Sequence, residues 1–207
     1  YGEIKTARRV LTTTRLHVII RPRGGDFLYS PLELERMAAD IDIARELGAD
    51  GVVFGCLRPD GSLDTEANAM LMEHAKGLSV TFHRAFDRCA DPRKALEELI
   101  AQGFDRILTS GQQPTALEGT PLLKELHEQA NGRIILLAGC GVNEQNIATI
   151  AQATAIHEFH FSARTAVKSK MMFSNPDVYM GAKDADEDTL NITSAERVAN
   201  TIAQLCK

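Results

Sequence analysis

Short apolar runs rich in β-branched residues alternate along this chain with longer stretches in which apolar positions recur at helical spacing. The runs are Leu16–Arg21, Gly51–Cys56, Leu78–His83, Arg106–Ser110, Arg133–Ala138 and His157–Ser162. Each has the length of a strand, and the interval between successive starts fits one strand plus one crossover helix. The stretches between them carry helix punctuation. Ser30-Pro31 supplies a cap and a first-turn residue for a helix from Pro31 to Leu47 that stops at Gly48, and Asp91-Pro92 opens another that stops at Gly103. Glu118–Ala130, Asn143–Ala153 and Ser194–Leu205 read as further helices, and Tyr1–Thr12 as a helix ahead of the first visible strand.

Repeated strand–helix units mean an α/β fold, with a parallel sheet against a layer of helices. Six such units also suit an open doubly wound sheet. A closed (β/α)₈ barrel of the TIM type is favoured because no glycine-rich GxGxxG turn follows any strand, and because several strands carry polar residues on one face. The expectation is a single TIM-type barrel domain over residues 1–207, lacking its first two strand–helix units. Arg164 to Thr193 has little periodicity, so residues 163–193 read as a long loop or lid after the last strand. Its acids Asp184, Asp186, Glu187 and Asp188 read as solvated surface.

Composition narrows the function classes. With 28 acidic residues against 23 Lys plus Arg, the net charge of −5 gives no basic excess to neutralise phosphates, which argues against a nucleic-acid partner. No apolar run approaches the roughly 18 residues of a membrane span. The cysteines, Cys56, Cys89, Cys140 and Cys206, form no CxxC pair, so neither a zinc ribbon nor a thioredoxin-like site is indicated. Free thiols fit a reducing cytoplasm.

In a barrel, chemistry gathers at the C-terminal ends of the strands. After the first strand comes Arg21-Pro22-Arg23-Gly24-Gly25-Asp26, where Arg21 and Arg23 are suited to hold a carboxylate or phosphate in a bidentate fork. The plainer alternative pairs Arg23 with Asp26. In Thr81-Phe82-His83-Arg84-Ala85-Phe86-Asp87, strand alternation sends Val80 and Phe82 toward the helices and His83 into the barrel near its mouth. His83 is thus a candidate general acid/base or metal ligand, with Asp87 to orient it and Arg84 as a further cation. On the last strand Phe159 and Phe161 share one face, and Glu158, His160 and Ser162 the other; a Glu158 so placed calls for a cationic partner. Ser110, the loop carrying Gly139 and Gly141, and Ser162-Ala163-Arg164 after the last strand complete a candidate small-anion site of hydroxyls and backbone amides, those of Gly139, Gly141 and Ala163. Copper(I) prefers thiolate and thioether ligands, so Cys56 and Cys140, at strand ends, are the candidate metal ligands, with Met171 and Met172 farther along.

Four stretches in this order, IIRPRGGDFLYS, TFHRAFDRCADP, RILTSGQQPTALEG and AGCGVN, resemble the CutC family. The resemblance covers most of the chain and weakens from Arg164 onward. It implies a (β/α)₈ barrel, a cytoplasmic location, self-association as a homo-oligomer and a link to copper homeostasis, through binding or trafficking of Cu(I). It also implies two preceding units that carry cysteines. The strand-end residues themselves fit a second class better: an enzyme acting on a small phosphorylated or carboxylated metabolite at the barrel mouth.

Overall fold

The computed structural model describes residues 1–175, 177, 178, 181 and 186–205. Its elements begin where the capping chemistry puts them. The Ser30 hydroxyl accepts the Glu33 N–H while the Glu33 carboxylate accepts from Ser30, a complete capping box at the start of α2 (Pro31–Glu46). Asp91 accepts the N–H groups of Arg93 and Lys94 to open α4 (Pro92–Gln102), and Gly103 closes it at φ 82°.

Strands β1 (His17–Ile19), β2 (Gly51–Phe54), β3 (Ser79–Phe82), β4 (Arg106–Thr109), β5 (Ile135–Gly139) and β6 (Glu158–His160) pair in sequential order, all parallel. Side chains on one face, among them Val52, Phe54, Val80, Phe82, Ile107 and Leu136, are buried with Met37 and Ile41 of α2 and Leu99 of α4. The same core takes in α3 (Thr65–His74), α5 (Thr120–Ala130) and α6 (Ile147–Thr154) through Leu71, Leu126 and Ile150. The opposite face is concave. Ile19, Val53, Thr81, Leu108, Leu137 and His160, one from each strand, line a single cavity of about 610 Å³. The sheet therefore curls as barrel strands do, but no β6–β1 ladder closes it among the described residues. The described residues thus form an open, curled half-barrel, consistent with the expected TIM-type architecture, and Ile19 on its inner face is 62% exposed.

Two differences from expectation appear. Helix α3 was not marked in the sequence: it buries only Ala67, Asn68 and Leu71, too small a stripe for a periodic signal, although its cap, Asp64 accepting the Ala67 N–H, was readable. The segment read as a structureless loop or lid holds an antiparallel pair, β7 (Arg164–Lys168) and β8 (Thr189–Thr193), followed by α7 (Ala195–Ala203). Most of both strands is exposed, so no apolar face announced them. The acids Asp186, Glu187 and Asp188 are exposed, as expected, while Asp184 and Cys206 lie outside the described residues. Helix α1 (Gly2–Val10) buries no residue and is tied to the domain by Arg8 on Asp50. No helix among the described residues is long and apolar enough to cross a membrane.

Candidate functional site at the strand ends

Because the six strands are parallel and in order, Arg21, His83, Ser110 and Ser162 all fall at one end of the sheet. Two loops at that end lock together. The Asp87 carboxylate, with a side chain only 7% exposed, accepts from Thr109 Oγ1 at 2.6 Å, the Ser110 N–H at 3.0 Å, the Gln112 N–H at 3.2 Å and Arg84 Nε at 2.7 Å. These donors leave none of its capacity for the imidazole, and no hydrogen bond joins Asp87 to His83 among the described residues. The expected orienting role is therefore corrected: Asp87 ties the loop after β3 to the loop after β4. Gly111 and Gly119 let those backbones touch, since a Cβ on Gly119 would stand 1.8 Å from the Ser110 carbonyl oxygen. Ser110 is itself buried, donating to the Gln113 carbonyl at 2.6 Å and accepting from Arg84 Nη2 at 3.1 Å. The network aims Arg84 outward.

Arg84 enters a mouth pocket of about 400 Å³, which it shares with Gly141, His160, Ser162, Arg164 and Arg197. The loop after β5 turns through two left-handed residues, Cys140 at φ 83° and Gly141 at φ 72°, and the loop after β6 through Ala163 at φ 46°. Such turns point successive N–H groups into a concavity, and a non-glycine residue there is uncommon. The N–H groups of Gly141, Val142 and Ala163 make no hydrogen bond to other described residues. Gly139 is not a donor to this pocket: it lets β5 pass close to Leu108, whose Cδ1 would lie 2.5 Å from an added Cβ. Of the other two pocket arginines, Arg197 is held by Glu144 through two bonds of 3.1 Å, whereas the Arg164 guanidinium has no partner among the described residues. Arg197 carried no sequence signal, because it reaches the pocket from α7; Arg164 belongs to the stretch after the last strand that the sequence marks as a candidate anion-binding end.

The loop after β1 is organised differently. Arg23 is committed within it, to Asp26 at 2.9 Å, Glu33 at 2.6 Å and the Leu28 carbonyl at 2.7 Å. Those bonds lower the Asp26 pKa from its ordinary value, Arg23 being the main cause. Arg23 and Asp26 thus shape the loop, which is the plainer of the two expectations. Arg21 is exposed, bonds the Gly25 carbonyl at 2.8 Å and lies over the Phe27 ring at 4.8 Å. His83 is 3% exposed under Phe27, ring centroids 4.9 Å apart, and burial pushes its pKa down to about 4. Glu158 has the cationic partner expected of it in Arg106, at 2.7 Å across the concave face.

Among the described residues, the cysteines do not converge as Cu(I) ligands would. Cys56 and Cys140 follow the ends of β2 and β5, strands three spacings apart, or roughly 14 Å along the sheet. Burial drives the Cys56 thiol up to about 12, and the Cys140 thiol donates to the Pro114 carbonyl at 3.1 Å. No cluster of three His, Cys, Asp or Glu side chains stands in metal-binding array among the described residues. Met171 and Met172 are exposed, beyond β7.

The model of the CutC family matches residues 1–165. A CutC family protein of Bacteroides thetaiotaomicron is 64% identical over 203 residues, which is 98% of this chain and 82% of that protein. The human copper homeostasis protein cutC homolog is 50% identical, over 90% of this chain and 70% of its own length. Among solved structures, a copper homeostasis protein CutC from Streptococcus agalactiae superposes with a TM-score of 0.75 at 40% identity, covering 77% of this chain and 79% of that one.

Proposed function

This chain belongs to the CutC family, and from that premise we propose that its working site is the mouth pocket, where it holds the anionic group of a small metabolite as an enzyme would. The observation that carries the reading is Arg164. A guanidinium with no partner among the described residues shares a pocket with Arg84 and with the N–H groups of Gly141, Val142 and Ala163, which are unbonded within that same set. Cation and amides together match the oxygens of a phosphate or carboxylate, in the loops that hold phosphate in many barrels. Ser162 and His160 add polar groups at the rim. The named role of the human relative, copper homeostasis, comes to this chain as a cellular setting. Direct Cu(I) binding by Cys56 and Cys140 gets no support from their placement. We place the protein in the cytoplasm, where its thiols stay reduced, and read it as a homo-oligomer, which sedentary single-species behaviour at monomer mass in analytical ultracentrifugation would contradict.

The experiment is a thermal-shift screen of phosphorylated and carboxylated metabolites, with Cu(I) as a separate arm. A ligand at about a hundred times its Kd stabilises by about 2.7 kcal/mol. The reading expects anions to raise the melting temperature and expects Arg164→Ala to remove the effect; stabilisation by Cu(I) alone would overturn it.

A further inference from the structure

Two buried side-chain polar atoms near the β1 loop meet no hydrogen-bond partner in good geometry among the described residues: His83 Nε2 and Tyr29 Oη. Neither belongs to the mouth pocket. The local roles of these residues explain their other atoms only. His83 caps the turn Arg84–Arg88, its Nδ1 accepting the Ala85 N–H at 3.3 Å. With Nδ1 accepting, the neutral ring carries its proton on Nε2, and a ring whose pKa burial holds near 4 is neutral at pH 7. The Tyr29 ring lies under the Arg23 guanidinium at 5.3 Å, and burial raises the phenol pKa, so the hydroxyl keeps its proton. Both unpaired atoms are therefore donors. Arg21 is the third group. It has no carboxylate partner among the described residues, its charge bears on His83, and it approaches Tyr29 Oη as a donor without reaching hydrogen-bond geometry, which leaves the Tyr29 O–H proton unpaired.

An unmade hydrogen bond on a buried donor is destabilising by about 1–3 kcal/mol, so two of them around one cation are an expensive arrangement for a loop that needs only packing. We propose that His83 Nε2–H, Tyr29 Oη–H and the Arg21 guanidinium form an oxygen-binding subsite for a carbonyl or carboxylate oxygen of a small ligand, with Phe27 as its cover. Two neutral donors and a cation favour negative charge on the bound oxygen, the arrangement that stabilises an oxyanion. Phe27, partly buried and packed on His83, is the ring that yields to admit the oxygen. This subsite stands apart from the anion pocket, and the two are tested separately.

Pyruvate, with one carbonyl and one carboxylate, is the probe for the subsite, and inorganic phosphate the probe for the mouth pocket. Both are titrated into protein carrying ¹⁵N in its histidine rings and backbone. Pyruvate is expected to shift His83 Nε2 saturably. Tyr29→Phe and Arg21→Ala are each expected to weaken that binding about tenfold, the loss of one hydrogen bond. Tyr29→Phe is the stringent variant. It keeps the ring and removes an unpartnered hydroxyl, so its melting temperature should equal or exceed that of the wild type while its pyruvate affinity falls. The proposal is overturned if pyruvate moves only the Gly141 and Ser162 amides, if Tyr29→Phe binds pyruvate as well as the wild type does, or if Tyr29→Phe melts lower. A phosphate titration that leaves Gly141 unmoved while pyruvate shifts His83 would remove the anion pocket and leave this subsite standing.

Discussion

Gly119→Ala isolates the contact that holds the site's two central loops together. Gly119 has φ −84°, which alanine adopts freely, so the substitution adds a methyl group and nothing else. That methyl would stand 1.8 Å from the Ser110 oxygen, 2.8 Å from its carbonyl carbon and 3.0 Å from Gly111 Cα. Carbon–oxygen contacts between backbones settle at about 3.3–3.6 Å, so the loops must part by roughly 1.5 Å. Overpacking is typically destabilising by about 1–3 kcal/mol, and here no flexible side chain can yield, which puts the effect near 3 kcal/mol or above. For a chain of this size that lowers the melting temperature by about 6–12 °C. Thermal unfolding followed by circular dichroism measures it, with Gly24→Ala as the control, because nothing lies within 4 Å of a Cβ there. The displaced Ser110 should also loosen its bond to Arg84 and its hold on Asp87, seen as faster amide exchange at Ser110 and Gln112. A Gly119→Ala protein that melts within about 2 °C of the wild type would refute the close-approach argument.

Three more outcomes follow from the same geometry. The His83 pKa is about 4 when folded, against 6.5 for the free side chain. Below pH 6.5 the unfolded chain takes up a proton that the folded chain refuses, so this contribution is complete above pH 6.5 and is lost as pH falls toward 4. It is worth roughly 2–4 kcal/mol, and His83→Gln should flatten the urea-denaturation stability between pH 7 and 4.5 by that amount; equal slopes would contradict it. Asp87→Asn sets an amide NH₂ among donors and removes the Arg84 pair, and should be destabilising by about 2–4 kcal/mol in urea, discounted because Arg84 is 41% exposed. Competition with a Cu(I) chelator should give curves for the wild type, Cys56→Ser and Cys140→Ser that superimpose; a stoichiometric site lost in either variant would refute the reading of the thiols.

Much of the fold was legible because local rules and global fold agree. Six β-branched runs became six parallel strands, and Ser30, Asp91 and Gly103 cap helices where their chemistry predicts. Face assignment by alternation also held: Phe159 packs on the core while Glu158 and His160 line the concave face. The curl expected of barrel strands also appears, in a six-stranded half-barrel. In the site, proximity in sequence misled for Asp87, which lies four residues after His83 yet is consumed by a loop more than twenty residues on. Arg23 went to its local acids, the outcome that the sequence offered as its plainer alternative. Tyr29 stood inside a noted motif without being singled out, because an unpaired hydroxyl is a property of packing and leaves no mark in sequence.

The central claim is that the mouth pocket is an anion site built on Arg164, and phosphate titration followed at the Gly141 and Ala163 amides tests it most directly. Arg164→Ala breaks no side-chain bond to any described residue and keeps the backbone carbonyl that accepts from Arg197, so the variant should fold and melt as the wild type does. The account predicts saturable shifts at both amides, weakened about ten- to a hundredfold in Arg164→Ala by loss of one charge-assisted pair, and weakened in both proteins by added salt. Amides that do not move with phosphate, or that move equally with and without Arg164, would contradict it.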